Sequence, residues 1–208
     1  MENLINSPKL DIDIGHRASR TNGYWGLRRP KLDHWAYADI FSHEECESII
    51  EIGKNIGLVS GESGFDGVND YRKSNIAFMF PNAYTEWIFH RLEHAIETLN
   101  PFFGFELDGM GEGIQFTEYN APEGHYNWHC DVGEWMNIRK LSITVELSDP
   151  NDFDGGHLEL NPTGKIAQME KVRGRATAFP SYMLHRVTPV TSGTRYSLVV
   201  WVTGPPFK

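Results

Sequence analysis

The sequence predicts an α+β chain, with helices first and a sandwich or barrel of short strands from about residue 102 onward. Three observations carry this. Apolar residues recur at helical spacing only in the first half, at Cys46, Ile49, Ile50 and Gly53 and again at Ile88, Leu92, Ala95, Ile96 and Leu99. Leu141, Ile143, Val145 and Leu147 alternate with Ser142, Thr144 and Glu146, the period of a strand. Gly, Pro, Asn and Asp turn signals then break the second half at short intervals.

Taken in order, residues 1 to 35 show no period and read as an irregular arm; residues 36–208 read as one domain. Ser42-His-Glu-Glu45 has the form of a capping box and opens the first helix, which should end between Gly53 and Gly57. Gly61 to Asp70 is rich in Gly, Asp and Ser and reads as a mobile loop. Arg72 to Phe80 reads as a strand, and the second helix should stop at Asn100-Pro101. The strands expected after it are Gly113 to Tyr119, His125 to Asp131, Leu141 to Leu147, His157 to Asn161, Arg173 to Phe179, Leu184 to Thr188 and Arg195 to Thr203.

The chain of 208 residues carries 19 Lys and Arg against 28 Asp and Glu, a formal charge of −9. An acidic chain with no basic run argues against nucleic acid or an anionic membrane as partner. Cys46 and Cys130 are the only cysteines, too few for a disulfide framework. No signal-peptide pattern and no long apolar run is visible, so the expected compartment is the cytoplasm, with no membrane. The oligomeric state has no signature.

The chemistry centres on Tyr119 to Asp131. His129 and Asp131 lie two residues apart beside a strand, so they share a face with Cα atoms about 6.6 Å apart. Cys130 between them should point away, as an inert core thiol. An imidazole and a carboxylate need a second imidazole to make the two-histidine, one-carboxylate face that holds ferrous iron. His157 and His185 are the candidates. Arg195 and Ser197 share a face at the start of an apolar strand, and a guanidinium beside a hydroxyl suits a carboxylate. By the same alternation Asn127 and His125 share the face of His129, and Asn127 is the better pocket candidate. Trp128, Trp135 and Trp201 read as core or rim packing.

These residues resemble the iron(II)/2-oxoglutarate-dependent dioxygenases, in their prolyl-4-hydroxylase-like branch. Tyr119 and Tyr126-Asn-Trp-His129-Cys-Asp131 match its Tyr and Tyr-x-x-His-x-Asp run. Leu147-Ser-Asp-Pro150 with Gly155-Gly156 matches its Leu-Ser-Asp-Pro…Gly-Gly turn. Phe179-Pro-Ser181, His185, Val187, Pro189 and Val190 match its distal histidine run, and Arg72-Lys-Ser74 resembles its basic strand. The resemblance covers about residues 36 to 203. It implies a double-stranded β-helix (jelly roll) with N-terminal helices packed on one sheet. It implies that His129, Asp131 and His185 bind Fe²⁺, and that Arg195, helped by Ser197 and Tyr119, binds the distal carboxylate of 2-oxoglutarate. L-ascorbate is the auxiliary the family suggests. Tyr126, Asn127 and Arg72 are the pocket candidates. One departure stands out: the central strand carries Glu146 where the family often has Tyr or another large residue.

The activity so implied is hydroxylation of a C–H bond of a prolyl or other amino-acid residue, with release of succinate and CO₂. The substrate would be a peptide or a small molecule such as a free amino acid. Two other readings are a catalytically silent jelly-roll module that keeps a metal for structure, and a zinc hydrolase on the same ligands. Retention of Arg195 speaks against the first. The second lacks a general base placed by any motif.

Overall fold

The structure is a computed structural model that describes residues 14–15, 35–61, 71–133 and 138–207. The Gly61 to Asp70 loop, beyond Gly61 itself, and Trp135 lie outside the described residues, as does most of the arm. The first half contains β1 (Ile14–Gly15), β2 (Trp35–Asp39), α1 (His43–Ile56), β3 (Val59–Ser60), β4 (Arg72–Lys73), β5 (Asn75–Met79) and α2 (Glu86–Phe103). Then follow β6 (Gly109–Met110), β7 (Ile114–Asn120), β8 (His125–His129), β9 (Arg139–Glu146) and β10 (Phe153–Gly155). The chain closes with β11 (Leu158–Asn161), β12 (Ala167–Gln168), β13 (Arg175–Pro180), β14 (Leu184–Val187) and β15 (Val190–Thr203).

Two sheets result, with every pairing antiparallel. The larger has the order β1-β2-β13-β9-β15-β7-β5-β3, with β6 and β10 also on β15; the smaller is β12-β11-β14-β8-β4. Leu158 and Leu160 of the small sheet pack with Phe179 of the large one, and Val187 with Tyr119, so the sheets face each other. This is the double-stranded β-helix expected, with both helices on the outer face of the large sheet.

The helices follow from the sequence as anticipated. Ser42 Oγ accepts from Glu45 N–H at 3.2 Å, and a Glu45 carboxylate oxygen accepts from Ser42 N–H at 2.8 Å. The capping box is complete. Cys46, Ile49, Ile50 and Gly53 are the buried stripe of α1. Gly53 has to be glycine because a Cβ there would lie 2.5 Å from the Phe116 ring. Arg91 of α2 ties the two helices by bonding Glu45 and the Ile40 carbonyl.

Several boundaries differ from the sequence reading. The expected strand Arg72 to Phe80 splits: Arg72–Lys73 joins the small sheet on β8, and Asn75–Met79 joins the large sheet on β7. The second helix runs through Asn100-Pro101 for a further turn. It stops at Gly104, whose left-handed backbone (φ 70°) donates to the Asn100 carbonyl, while Asn100's side chain bonds both N–H and C=O of Phe105. A proline near the end of a helix removes only one late bond, so it does not dictate the stop. Trp35–Asp39, assigned no element from sequence, is a strand with Ala36 and Ala38 fully buried under the helices.

The alternation in β9 has a consequence for function. Leu141, Ile143 and Val145 face the helices, yet the other face is not solvated: all of Arg139–Glu146 is buried. Ser142, Thr144 and Glu146 line the space between the two sheets.

A candidate metal centre and co-substrate pocket

His185 and His129 are direct register partners on β14 and β8, so the sheet itself sets two distant imidazoles side by side. Their ring centroids are 4.0 Å apart. Asp131 lies just beyond β8, where its N–H donates to the Ser181 carbonyl at 2.9 Å. The nearest ligand atoms of His129, Asp131 and His185 all lie within 4.8 Å of one another.

The imidazoles are oriented from behind. His129 Nδ1 lies 2.7 Å from the Asn127 carbonyl and His185 Nδ1 lies 2.8 Å from the Met183 carbonyl. A carbonyl only accepts, so each Nδ1 carries the proton and each Nε2 offers its lone pair. Those Nε2 atoms sit 3.7 Å and 3.6 Å from the two Asp131 oxygens. Burial, with the second imidazole beside it, pushes His129 down to about 3, which keeps it neutral. Burial pushes Asp131 up, but the two imidazoles, where they are protonated, and the Ser142 hydroxyl outweigh it and hold the carboxyl below its ordinary range. Ser142 Oγ donates to Asp131 at 2.5 Å and also meets Ser181 Oγ at 3.0 Å. Arg139 braces the same corner: it donates to the Asp131 carbonyl, pairs with Glu112 and stacks 3.8 Å from the Trp201 ring. Two neutral nitrogens and one carboxylate oxygen are the donor set of a facial ferrous site, so the residues fit such an ion.

From the metal end, Ser142, Thr144 and Glu146 step along β9 toward a second charged position. Their partners on β15 are Trp201, Val199 and Ser197. At that far end lies Arg195, 1% exposed. Its guanidinium faces the Tyr119 ring at 5.5 Å, and Nη1 lies 3.5 Å from Ser197 Oγ. Gly156, in a left-handed conformation (φ 60°), makes room for it, since a Cβ there would lie 3.0 Å from Arg195 Cδ. Glu146 accepts from Arg195 Nε at 2.8 Å.

Of the pocket candidates, Tyr126 is brought against His129 with Arg72 behind it, and Asn127 is not. Tyr126 stacks on His129 with centroids 3.5 Å apart, and burial pushes its phenol up to about 12. Arg72 lies 4.7 Å from the Tyr126 ring centroid, is buried, and bonds Ser74 Oγ through Nε at 2.8 Å. Its Nη2 is buried without a hydrogen-bond partner. Asn127 is exposed. The reason is a register shift between β8 and β14: one residue lies between His185 and Val187, but two lie between their partners Tyr126 and His129. The extra residue is a bulge, which breaks the alternation and exchanges Asn127 for Tyr126. Cys130 also departs from expectation. It points away from the metal set but is exposed, its Sγ meeting the Tyr182 carbonyl, so it is no core thiol. His157, just before β11, donates its N–H to Thr188 Oγ1 and takes no part in the triad.

The family model described as "2OG-Fe(II) oxygenase superfamily" matches residues 114–203, the span that carries His129, Asp131, His185 and Arg195. Among curated proteins, a PKHD-type hydroxylase of Paraburkholderia phytofirmans is 40% identical over 128 residues, 61% of this chain and 46% of that protein. The chain spans less than half the length of the curated relatives it matches. Among solved structures, a Pseudomonas putida prolyl-4-hydroxylase aligns with a TM-score of 0.67 at 20% identity, covering 83% of this chain and 94% of that one. A Trichoplax adhaerens prolyl hydroxylase, in complex with a hypoxia inducible factor peptide fragment, aligns with a TM-score of 0.65 at 18% identity, over 83% and 84% of the two chains. At these identities the structural likeness speaks for the fold. No described helix is long and apolar enough to cross a membrane.

Proposed function

We propose that this protein is an Fe²⁺- and 2-oxoglutarate-dependent oxygenase that hydroxylates a C–H bond of an amino-acid residue. The observation that carries the proposal is the convergence of three ligand atoms at one end of a face whose other end holds the buried Arg195. His129 and His185 hold the metal through Nε2, and Asp131 supplies the carboxylate. Arg195 and Ser197, against Tyr119, hold the distal carboxylate of 2-oxoglutarate and so fix the keto acid in one pose. When bound, iron and keto acid supply the oxidative chemistry, in which O₂ and 2-oxoglutarate give succinate, CO₂ and the hydroxylated product. The chain supplies orientation and dryness: Phe179, Leu158 and Val187 wall the space between the sheets, and Ser142 and Arg139 fix Asp131.

Arg72 and Tyr126 stand beside His129 where the substrate's reacting carbon would approach. A peptide carbonyl or a carboxylate satisfies the unpartnered Arg72 Nη2. The relatives and neighbours favour a peptidyl substrate, prolyl first. Arg72 itself favours a free amino acid as the second reading, because its guanidinium matches a carboxylate.

The test is succinate production from 2-oxoglutarate with Fe²⁺ and L-ascorbate, followed by screening peptides and free amino acids for a 16 Da gain. Turnover that vanishes in His129→Ala is expected. Metal binding with no succinate at all would instead favour the silent module.

A further inference from the structure

The far end of the pocket contains a carboxylate that the bare reading of Arg195 does not require. Glu146 and Arg195 are both buried and joined at 2.8 Å. They line a narrow pocket together with Thr144, Leu158, Lys171 and Thr177. A guanidinium already holding one carboxylate is a poor receptor for another, because two like charges on one site cannot both ionise cheaply.

We infer that Glu146 makes this pocket proton-coupled: the distal carboxylate of a keto diacid enters beside Arg195 only together with one proton, which the two carboxylates then share. The inference rests on the proposed oxygenase reading and deepens it.

The groups facing Glu146 leave it as the place for that proton. On β15 they are Arg195 and the Ser197 hydroxyl; on β7 it is Tyr119, whose phenol burial pushes up, away from ionisation. On β13 and the segment before it lie Arg175, Glu170 and Lys171, all at the cavity wall. Arg175 is engaged by Asp39 and Glu170. Lys171 lies over the Phe153 ring, 4.1 Å from its centroid. Burial pushes the Lys171 ammonium down and the Glu146 carboxyl up. Ser148 N–H adds a long bond to Glu146. His157 stands near Lys171 and Arg195, which, after burial, hold it below its ordinary range.

The experiment is calorimetric titration of 2-oxoglutarate into the Mn²⁺-saturated full chain, in buffers of differing ionisation enthalpy. Oxalate, which has the chelating end but no distal carboxylate, is the reference. The expected result is uptake approaching one proton for 2-oxoglutarate beyond that for oxalate, and close to none in Glu146→Gln. Affinity for 2-oxoglutarate should fall about tenfold per pH unit where Glu146 is ionised in the free protein, and stay flat in the variant. Equal proton counts for the two acids in the wild-type chain would overturn the inference without any variant, and would leave the oxygenase reading standing. Uptake that persists in Glu146→Gln overturns it too. If neither acid binds, the oxygenase reading falls and takes this inference with it.

Discussion

Ser142→Ala is the most informative single perturbation of the metal end. Ser142 is fully buried and donates to the Asp131 carboxylate at 2.5 Å. Removing its hydroxyl takes from that oxygen its 2.5 Å donor in a dry site, and the neighbouring Ser181 Oγ, 3.0 Å from Ser142 Oγ, is not bonded to Asp131. A hydrogen bond to a charged acceptor is worth about 1.5–3 kcal/mol, and each 1.4 kcal/mol is about a factor of ten in affinity. Metal binding should therefore weaken about 10–100-fold, the range found when a group supporting a ligand is lost. Mn²⁺ affinity, measured by competition with a chelator, reads this directly. Melting of the metal-free protein serves as the check that the fold survives. Unchanged Mn²⁺ affinity in a folded Ser142→Ala protein would refute the role given to the hydroxyl and weaken the case for Asp131 as a ligand.

Further outcomes follow from the same geometry. Gly53→Ala places a methyl 2.5 Å from the Phe116 ring and should cost about 1–3 kcal/mol by overpacking, read as a lower denaturation midpoint with Mn²⁺ affinity retained. Arg72→Gln keeps Ser74 within reach of a polar group but removes the charge over Tyr126; hydroxylated product should fall at least tenfold while 2-oxoglutarate binding to the Mn²⁺ protein is unchanged, and a parallel loss of both would move Arg72 from substrate to co-substrate. Burial holds the Glu146 carboxyl above its ordinary range, so folding favours its protonated form. Its contribution is full below the unfolded carboxylate pKa and is lost as pH rises through the higher folded value. Glu146→Gln should thus gain in melting temperature relative to wild type as pH rises from mildly acidic to neutral; a gain in the opposite direction contradicts the buried-acid assignment.

Much of this molecule was legible in the linear order of residues. Ser42 and Glu45 specified a helix start by local bonding, and β9 showed its alternation in plain letters. The candidate triad was legible by motif, because His129-Cys-Asp131, His185 and Arg195 keep a spacing that a resemblance can carry, and the structure brings its three side chains together. What failed was parity through β8. Strict alternation placed Asn127 with His129, and a one-residue bulge against β14 put Tyr126 there instead. Bulges arise from the pairing of two strands, so neither strand announces one alone.

The sequence by itself determined the two helices and most of the longer strands, the outward apolar face of β9 and the identity of the side chains that converge on the candidate site, since those depend on period and local chemistry. Only the tertiary structure decided that the polar face of β9 is buried, that Ser142 serves Asp131, and that Glu146 meets Arg195 across 49 residues of chain. A residue's charge is written in its letter, but whether that charge is solvated, paired or starved of a partner depends on which distant strand is folded against it.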